Sequence, residues 1–204
     1  HKNKVVEIDK RKIKELTCDG MVLLKNDGIL PLEKTDPFAV VGALAKNPKV
    51  QGGGCACVRN ASIKTPYDEL CERAGKKLGY ADGYSVENGE IDEAAVSEAV
   101  KAAEKTDTVI FFAGLPEWNE SEGYDRVSLA LPKNQINAIK ALKSAGKKII
   151  TVLTNGSAVE LKEISECSEA VLECWYAGDL FAEAMADILF GVSNPCGRLA
   201  ESFP

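Results

Sequence analysis

Residues 108–114 read Thr-Val-Ile-Phe-Phe-Ala-Gly, an apolar run with no polar residue between Thr108 and Gly114. A strand with one wet face alternates apolar and polar side chains, so an unbroken run this short predicts a strand buried on both faces. Such strands belong to parallel sheets covered by helices on either side. The flanking segments agree. Phe38 to Gly42 follows the turn signal Thr35-Asp36-Pro37 and predicts a second short buried strand. Lys148 to Leu153 and Ala170 to Trp175 predict two more. Between them lie helical patterns. Thr65 can cap a helix whose first turn holds Pro66, Asp68 and Glu69. Apolar residues at 91, 95, 96, 99, 100 and 103 share one helical face. Pro132 opens a helix through Ile136, Ile139 and Leu142 that Gly146 closes, and Phe181 to Phe190 forms a last one, stopped by Gly191. The alternation predicts an α/β fold: a three-layer sandwich with a largely parallel sheet flanked by helices on both faces. Its 204 residues suit a single domain, 1–204, with about residues 1–16 as a leader or linker. No initiator Met is present and the sequence stops at Phe203-Pro204, which reads as a piece of a longer protein.

Composition then removes several chemistries. The single histidine is His1, so an interior Ser-His-Asp triad, a Cys-His pair and an HExxH zinc site are all excluded. The seven cysteines form no CxxC pair, and several lie in apolar runs, which fits buried reduced thiols. Cys55-Ala56-Cys57 could be a metal or redox pair, but it lacks further ligands at suitable spacing. Neither a metal nor a cofactor is expected. A net charge of −6 leaves no nucleic-acid footprint, and no apolar run approaches the roughly 18 residues that span a bilayer. Free cysteines and a polar N-terminus without an apolar signal core point to a bacterial cytoplasm. The three glycosylation sequons at Asn60, Asn119 and Asn155 are read as chance matches. A homo-oligomer is compatible with all of this.

In a parallel sheet, function gathers in loops at the carboxyl ends of the strands. Three loops qualify: Gln51 to Cys55, Leu115 to Ser128, and Asn155 to Ser157. The glycine triplet Gly52-Gly53-Gly54 invites a phosphate-binding reading. It fails, because Cys57 stands where the dinucleotide fingerprint needs glycine and no Gly-Lys-Ser/Thr follows. A tight loop approached closely by a ligand or a second domain is the better account. The 115–128 loop is long for a strand-to-helix connection and carries Glu117, Trp118, Glu120, Glu122, Asp125 and Arg126. Carboxylates beside a Trp suit a sugar site, since the ring stacks on a pyranose and a carboxylic acid can protonate a leaving oxygen. On spacing alone a solvated acidic loop is the favoured reading. Glycoside cleavage also needs two carboxylates flanking the bond, ~5–9.5 Å apart, and four acids on one loop do not surround a sugar.

The stretch Val22-Leu23-Leu24-Lys25-Asn26 through Leu30-Pro31-Leu32 resembles the opening of the α/β sandwich domain of glycoside hydrolase family 3. The similarity continues in Ala39-Val40-Val41-Gly42, Gly52-Gly53-Gly54, Ser121-Glu122-Gly123-Tyr124-Asp125-Arg126 and Leu131-Pro132-Lys133-Asn134-Gln135. It ends with Trp175-Tyr176-Ala177-Gly178 and Leu189 to Pro204. Each landmark is weak alone, but together they run in family order over nearly the whole chain.

The resemblance implies a β-glucosidase-like retaining enzyme acting on terminal β-linked sugars of glycosides or oligosaccharides. In that family the nucleophilic aspartate lies in a separate (β/α)8 barrel, absent from this chain, and the sandwich supplies the general acid/base. Barrel-first and sandwich-first orders both occur. Glu122, four residues before the arginine of the Glu-Gly-x-Asp-Arg stretch, is the expected acid/base, with Glu120 the alternative. Asp125 and Arg126 are expected to support the loop by ion pairing, Trp118 to offer an aglycone platform, and Gly53 and Gly54 to line the mouth of the site. Two rivals remain: a non-catalytic sugar-binding or oligomerisation module of the same family, and an unrelated flavodoxin-like α/β protein. The latter would need a phosphate loop or an acidic pocket after Phe38 to Gly42, which the sequence lacks. Cys55 and Cys196 each replace a serine frequent in the family, without removing chemistry.

Overall fold

The computed structural model describes residues 9–58, 63–123 and 125–204. The sequon at Asn60 and Tyr124 of the acidic loop fall outside them. Among the described residues one sheet has six strands: β1 (Val22–Asn26), β2 (Phe38–Val41), β3 (Tyr80–Ala81), β4 (Thr108–Gly114), β5 (Lys148–Thr154) and β6 (Ala170–Glu173). Their order is β1-β6-β5-β4-β2-β3. Strands β3, β2, β4, β5 and β6 run parallel, and β1 closes the edge antiparallel to β6 with a register shift between Leu23 and Lys25. The α/β sandwich expected from the sequence is therefore present. β2, β4, β5 and β6 match the four strands expected from it. The edge strands β1 and β3 carry no such signal: β1 is only partly buried, and β3 has two residues.

The helices are α1 (Lys10–Gly20), α2 (Pro66–Ala74), α3 (Glu93–Ala102), α4 (Lys133–Ser144), α5 (Lys162–Cys167) and α6 (Phe181–Leu189). Their starts follow local chemistry. The Thr65 side chain accepts from Asp68 N at 3.1 Å with Pro66 in the first turn, and Asp92 Oδ1 accepts from Ala94 N at 2.9 Å. The first turns of α1 lie in the segment expected as a leader.

Side-chain parity along the strands builds two cores. Phe38, Val40, Ile110, Phe112, Ile150 and Val152 face α1, α2 and α6. Their neighbours Ala39, Val41, Val109, Phe111, Ile149 and Leu153 face α3, α4 and α5. Each fully buried Phe or Ile contributes roughly 1.5–3 kcal/mol, so the central strands carry the fold. On the first face a buried ion network ties three helices. Asp187 of α6 meets Arg73 of α2 at 2.7 Å and Lys14 of α1, and Arg73 also meets Glu69 at 2.6 Å.

Because β2, β4, β5 and β6 are mutually parallel, their carboxyl ends open on one edge of the sheet. The three loops singled out in the sequence and the Cys174-to-Gly178 turn emerge there together.

Candidate active site

The 115–123 loop is anchored at its base by two neighbouring helix residues. Gln135, the glutamine of the Leu-Pro-x-x-Gln stretch, accepts from Gly114 N at 3.0 Å and donates to Gly114 O at 2.9 Å, continuing the sheet with a side-chain amide. Buried Asn134 donates to Ser85 O and Asn88 O at 2.9 and 3.0 Å, fixing the segment that carries Val86. Val86 O in turn accepts from Trp118 Nε1 at 3.0 Å. Trp118 is thus pinned by its polar edge, yet 51% of its surface is open.

Farther along, Glu122 reaches across to the glycine loop, where its Oε2 accepts from Cys55 N at 2.8 Å. The contact needs glycine at 54: φ is +69°, and a Cβ there would lie 2.5 Å from Glu122 Oε2 and 2.8 Å from Glu122 Cβ. Gly53 is placed against Ser121 and Glu117. Glu122 is solvent-exposed, and its Oε1 has no hydrogen-bond partner among the described residues. The Cys55 N–H, joined by the Cys55 thiol, holds its carboxyl below the usual carboxylate range.

Glu120, two residues earlier, is held quite differently. One oxygen accepts from Ser157 Oγ at 2.6 Å, and the other accepts from Gly156 N at 3.0 Å and from the Tyr176 hydroxyl. Burial would raise its pKa, but these donors and the Lys49 ammonium outweigh that and leave it lowered. Gly156 has no room for a side chain, since a Cβ would stand 2.8 Å from the Tyr176 ring. Lys49 donates to Leu115 O and Glu120 O at 3.2 and 3.1 Å and lies 4.9 Å from the centre of the Tyr176 ring. Burial lowers the Lys49 pKa, and Glu120 and Glu117 oppose the effect.

Behind this group stands Glu173, the last residue of β6 and fully buried. It accepts from Trp175 N at 2.8 Å and Asn155 Nδ2 at 3.0 Å. Burial pushes its pKa up to about 8 despite those donors, with the Glu120 charge adding to the rise. Trp175 has φ +57°, a left-handed conformation rare for a large residue, and this turns Tyr176 towards Glu120.

The structure thus brings Glu122, Gly53 and Gly54 together, and sets Glu120 against the 155–157 loop. Asp125 is exposed and forms no ion pair among the described residues. Arg126 braces the loop by a hydrogen bond, donating from Nη2 to Ala158 O at 2.8 Å, in place of the ion pair expected. A backbone carbonyl, not a carboxylate, is what β5's following loop offers it. A groove of about 400 Å³ runs past Lys49, Gly53, Val86, Pro116 and Glu117. Among the described residues no group of three or more Cys, His, Asp or Glu side chains is placed to hold a metal ion, and no helix is long and apolar enough to cross a membrane. Lys49, Ser157, Glu173 and Tyr176 were not singled out by residue-level reasoning. Glu173 left a signal, a charge inside the apolar run Ala170 to Trp175, and Ser157 and Tyr176 lie in a strand-end loop and a family landmark in which no single residue was given a role.

Known proteins share this arrangement of sequence and fold. The chain is 41% identical over 197 residues to thermostable beta-glucosidase B of Acetivibrio thermocellus, covering 95% of this chain and 26% of that protein. It is 36% identical over 200 residues to an exo-alpha-(1->6)-L-arabinopyranosidase of Bifidobacterium breve, covering 93% and 26%. The crystal structure of a Bifidobacterium adolescentis GH3 beta-glucosidase superposes with a TM-score of 0.85 at 33% identity, over 94% of this chain and 29% of that one. The chain therefore spans about a quarter of the length of the curated relatives it matches. The sequence model of the glycosyl hydrolase family 3 C-terminal domain matches residues 21–204, and the chain belongs to that family.

Proposed function

We propose that this chain supplies the general acid/base of a retaining β-glycosidase, most simply a β-glucosidase, and that Glu122 is that residue. The observation that carries the reading is the contrast between the two candidate carboxylates. Both oxygens of Glu120 already accept hydrogen bonds, and this set of donors favours its charged form over a proton-donating one. Glu122 is exposed, and among the described residues its Oε1 has no hydrogen-bond partner, beside the glycine-rich 52–54 loop.

The chemistry needs a partner. A (β/α)8 barrel joined to this chain would hold the sugar and the nucleophilic aspartate. Glu122 would protonate the glycosidic oxygen as the nucleophile attacks the anomeric carbon, then deprotonate the water that releases the sugar with retained configuration. A proton donor near neutrality needs a raised pKa. In the chain alone the Cys55 N–H lowers it, so the rise must come from burial under substrate and from the negative nucleophile. Trp118, half exposed, would stack on the aglycone.

In the full-length protein carrying this chain, Glu122→Gln should lower kcat/KM on glycosides of poor leaving groups about 10²–10⁴-fold. Dinitrophenyl glycosides, which leave without a proton, should be nearly unaffected. An equal loss across a leaving-group series contradicts the assignment.

A further inference from the structure

We infer that Glu120 is the positioning residue of the acid/base loop, and that Tyr176, Ser157 and Gly156 form the clasp that holds it. The inference rests on Glu122 being the acid/base and deepens that reading. Glu120 lies two residues before Glu122 on the same loop, and its carboxylate ties that loop to two others. The 155–157 loop contributes the Gly156 N–H at 3.0 Å and the Ser157 hydroxyl at 2.6 Å, and the 174–178 turn contributes the Tyr176 hydroxyl. Lys49 closes the fourth side, binding the carbonyls of Leu115 and Glu120.

Both walls of the clasp are set from behind by one buried residue. Glu173 receives the Asn155 amide at 3.0 Å, which fixes the start of the 155–157 loop, and the Trp175 N–H at 2.8 Å, at the residue whose left-handed backbone aims Tyr176. Among the described residues Glu122 itself is held only from Cys55, by its N–H at 2.8 Å, and lies in solvent. Its place over the sugar therefore depends on where the rest of the loop is fastened. Proton transfer requires the acid within hydrogen-bond reach of the leaving oxygen, and a displacement of 1 Å can cost about 10²-fold.

The test uses the full-length protein, with kcat/KM measured for aryl β-glycosides that span good to poor leaving groups. Tyr176→Phe and Ser157→Ala should each lower kcat/KM about 10- to 100-fold for the poorest leaving groups and no more than about 3-fold for dinitrophenyl glycosides. Ser157→Thr, which keeps the hydroxyl, should restore most of the loss. Azide should accelerate Glu122→Gly but not Glu120→Gly, because removing Glu120 displaces the acid/base carboxylate without vacating a catalytic site that the anion can fill. A loss that is uniform across leaving groups, with no rescue by Ser157→Thr, overturns the positioning role in favour of plain destabilisation. Azide rescue of Glu120→Gly overturns it by making Glu120 the acid/base itself. If instead Glu122→Gly shows no azide response, the underlying assignment of Glu122 fails, whatever Tyr176 does.

Discussion

At the scale of single residues, the site is a set of carboxyls whose surroundings separate their proton affinities. Glu120 is pulled down by three donors and Lys49, Glu122 is pulled down by one backbone N–H, and Glu173 is pushed up to about 8 by burial. Glu173 makes stability depend on pH with a definite sign. Its carboxyl titrates at about 4.5 when solvated and about 8 when folded, so between those values the folded state holds a proton that the unfolded state has lost. Its contribution is fully present below pH 4.5 and is lost as pH rises towards 8, with a slope of up to about 1.4 kcal/mol per pH unit. Urea unfolding of the chain at pH 5, 6, 7 and 8 should show that decline. Glu173→Gln, a neutral isostere, should flatten it and be relatively most stabilising at pH 8. A wild-type curve that rises over this window would mean that Glu173 is ionised in the fold.

Among the elements, what could be read from the sequence was what local chemistry decides. β4 was legible because seven consecutive residues avoid alternation, and α2 because Thr65 and Pro66 mark its start. β1 was not, since a half-buried edge strand with a register shift has no clean period, and β3 is too short to have one. In the site, the loop rich in acids and the glycine loop were both visible, but not that Glu122 would reach across to the backbone beside Gly54. The 155–157 loop was visible too, but not its meeting with Glu120, because Lys49, Ser157 and Tyr176 lie up to 71 residues away in sequence and come together only through the parallel sheet. Gln135 shows the same limit from the other side. The Leu-Pro-x-x-Gln stretch was recognisable as a pattern, but its physical purpose, closing the end of β4 with an amide, needs the fold. Gln135→Leu keeps the volume and removes both bonds to Gly114, leaving a buried N–H without a partner. It should cost roughly 2 kcal/mol of unfolding free energy, read as a lower urea midpoint. An unchanged midpoint would mean that water replaces the amide.

At the level of the whole molecule, the chain carries two full cores and one edge where the candidate site lies, but its candidate acids project from one loop. Since it spans about a quarter of its relatives, the reading requires the sugar and the nucleophile to be held elsewhere. Purified 1–204 should accordingly unfold cooperatively yet hydrolyse no aryl β-glucoside above background, and turnover by the isolated chain would contradict a divided active site. The claim on which everything else depends is that Glu122 does the proton transfer. The most direct measurement is the product formed by the full-length Glu122→Gly variant with a dinitrophenyl β-glycoside in the presence of azide. Azide should enter the space vacated by the carboxylate, speed turnover, and give a glycosyl azide of β configuration. No acceleration by azide, or an azide adduct of α configuration, would contradict the account.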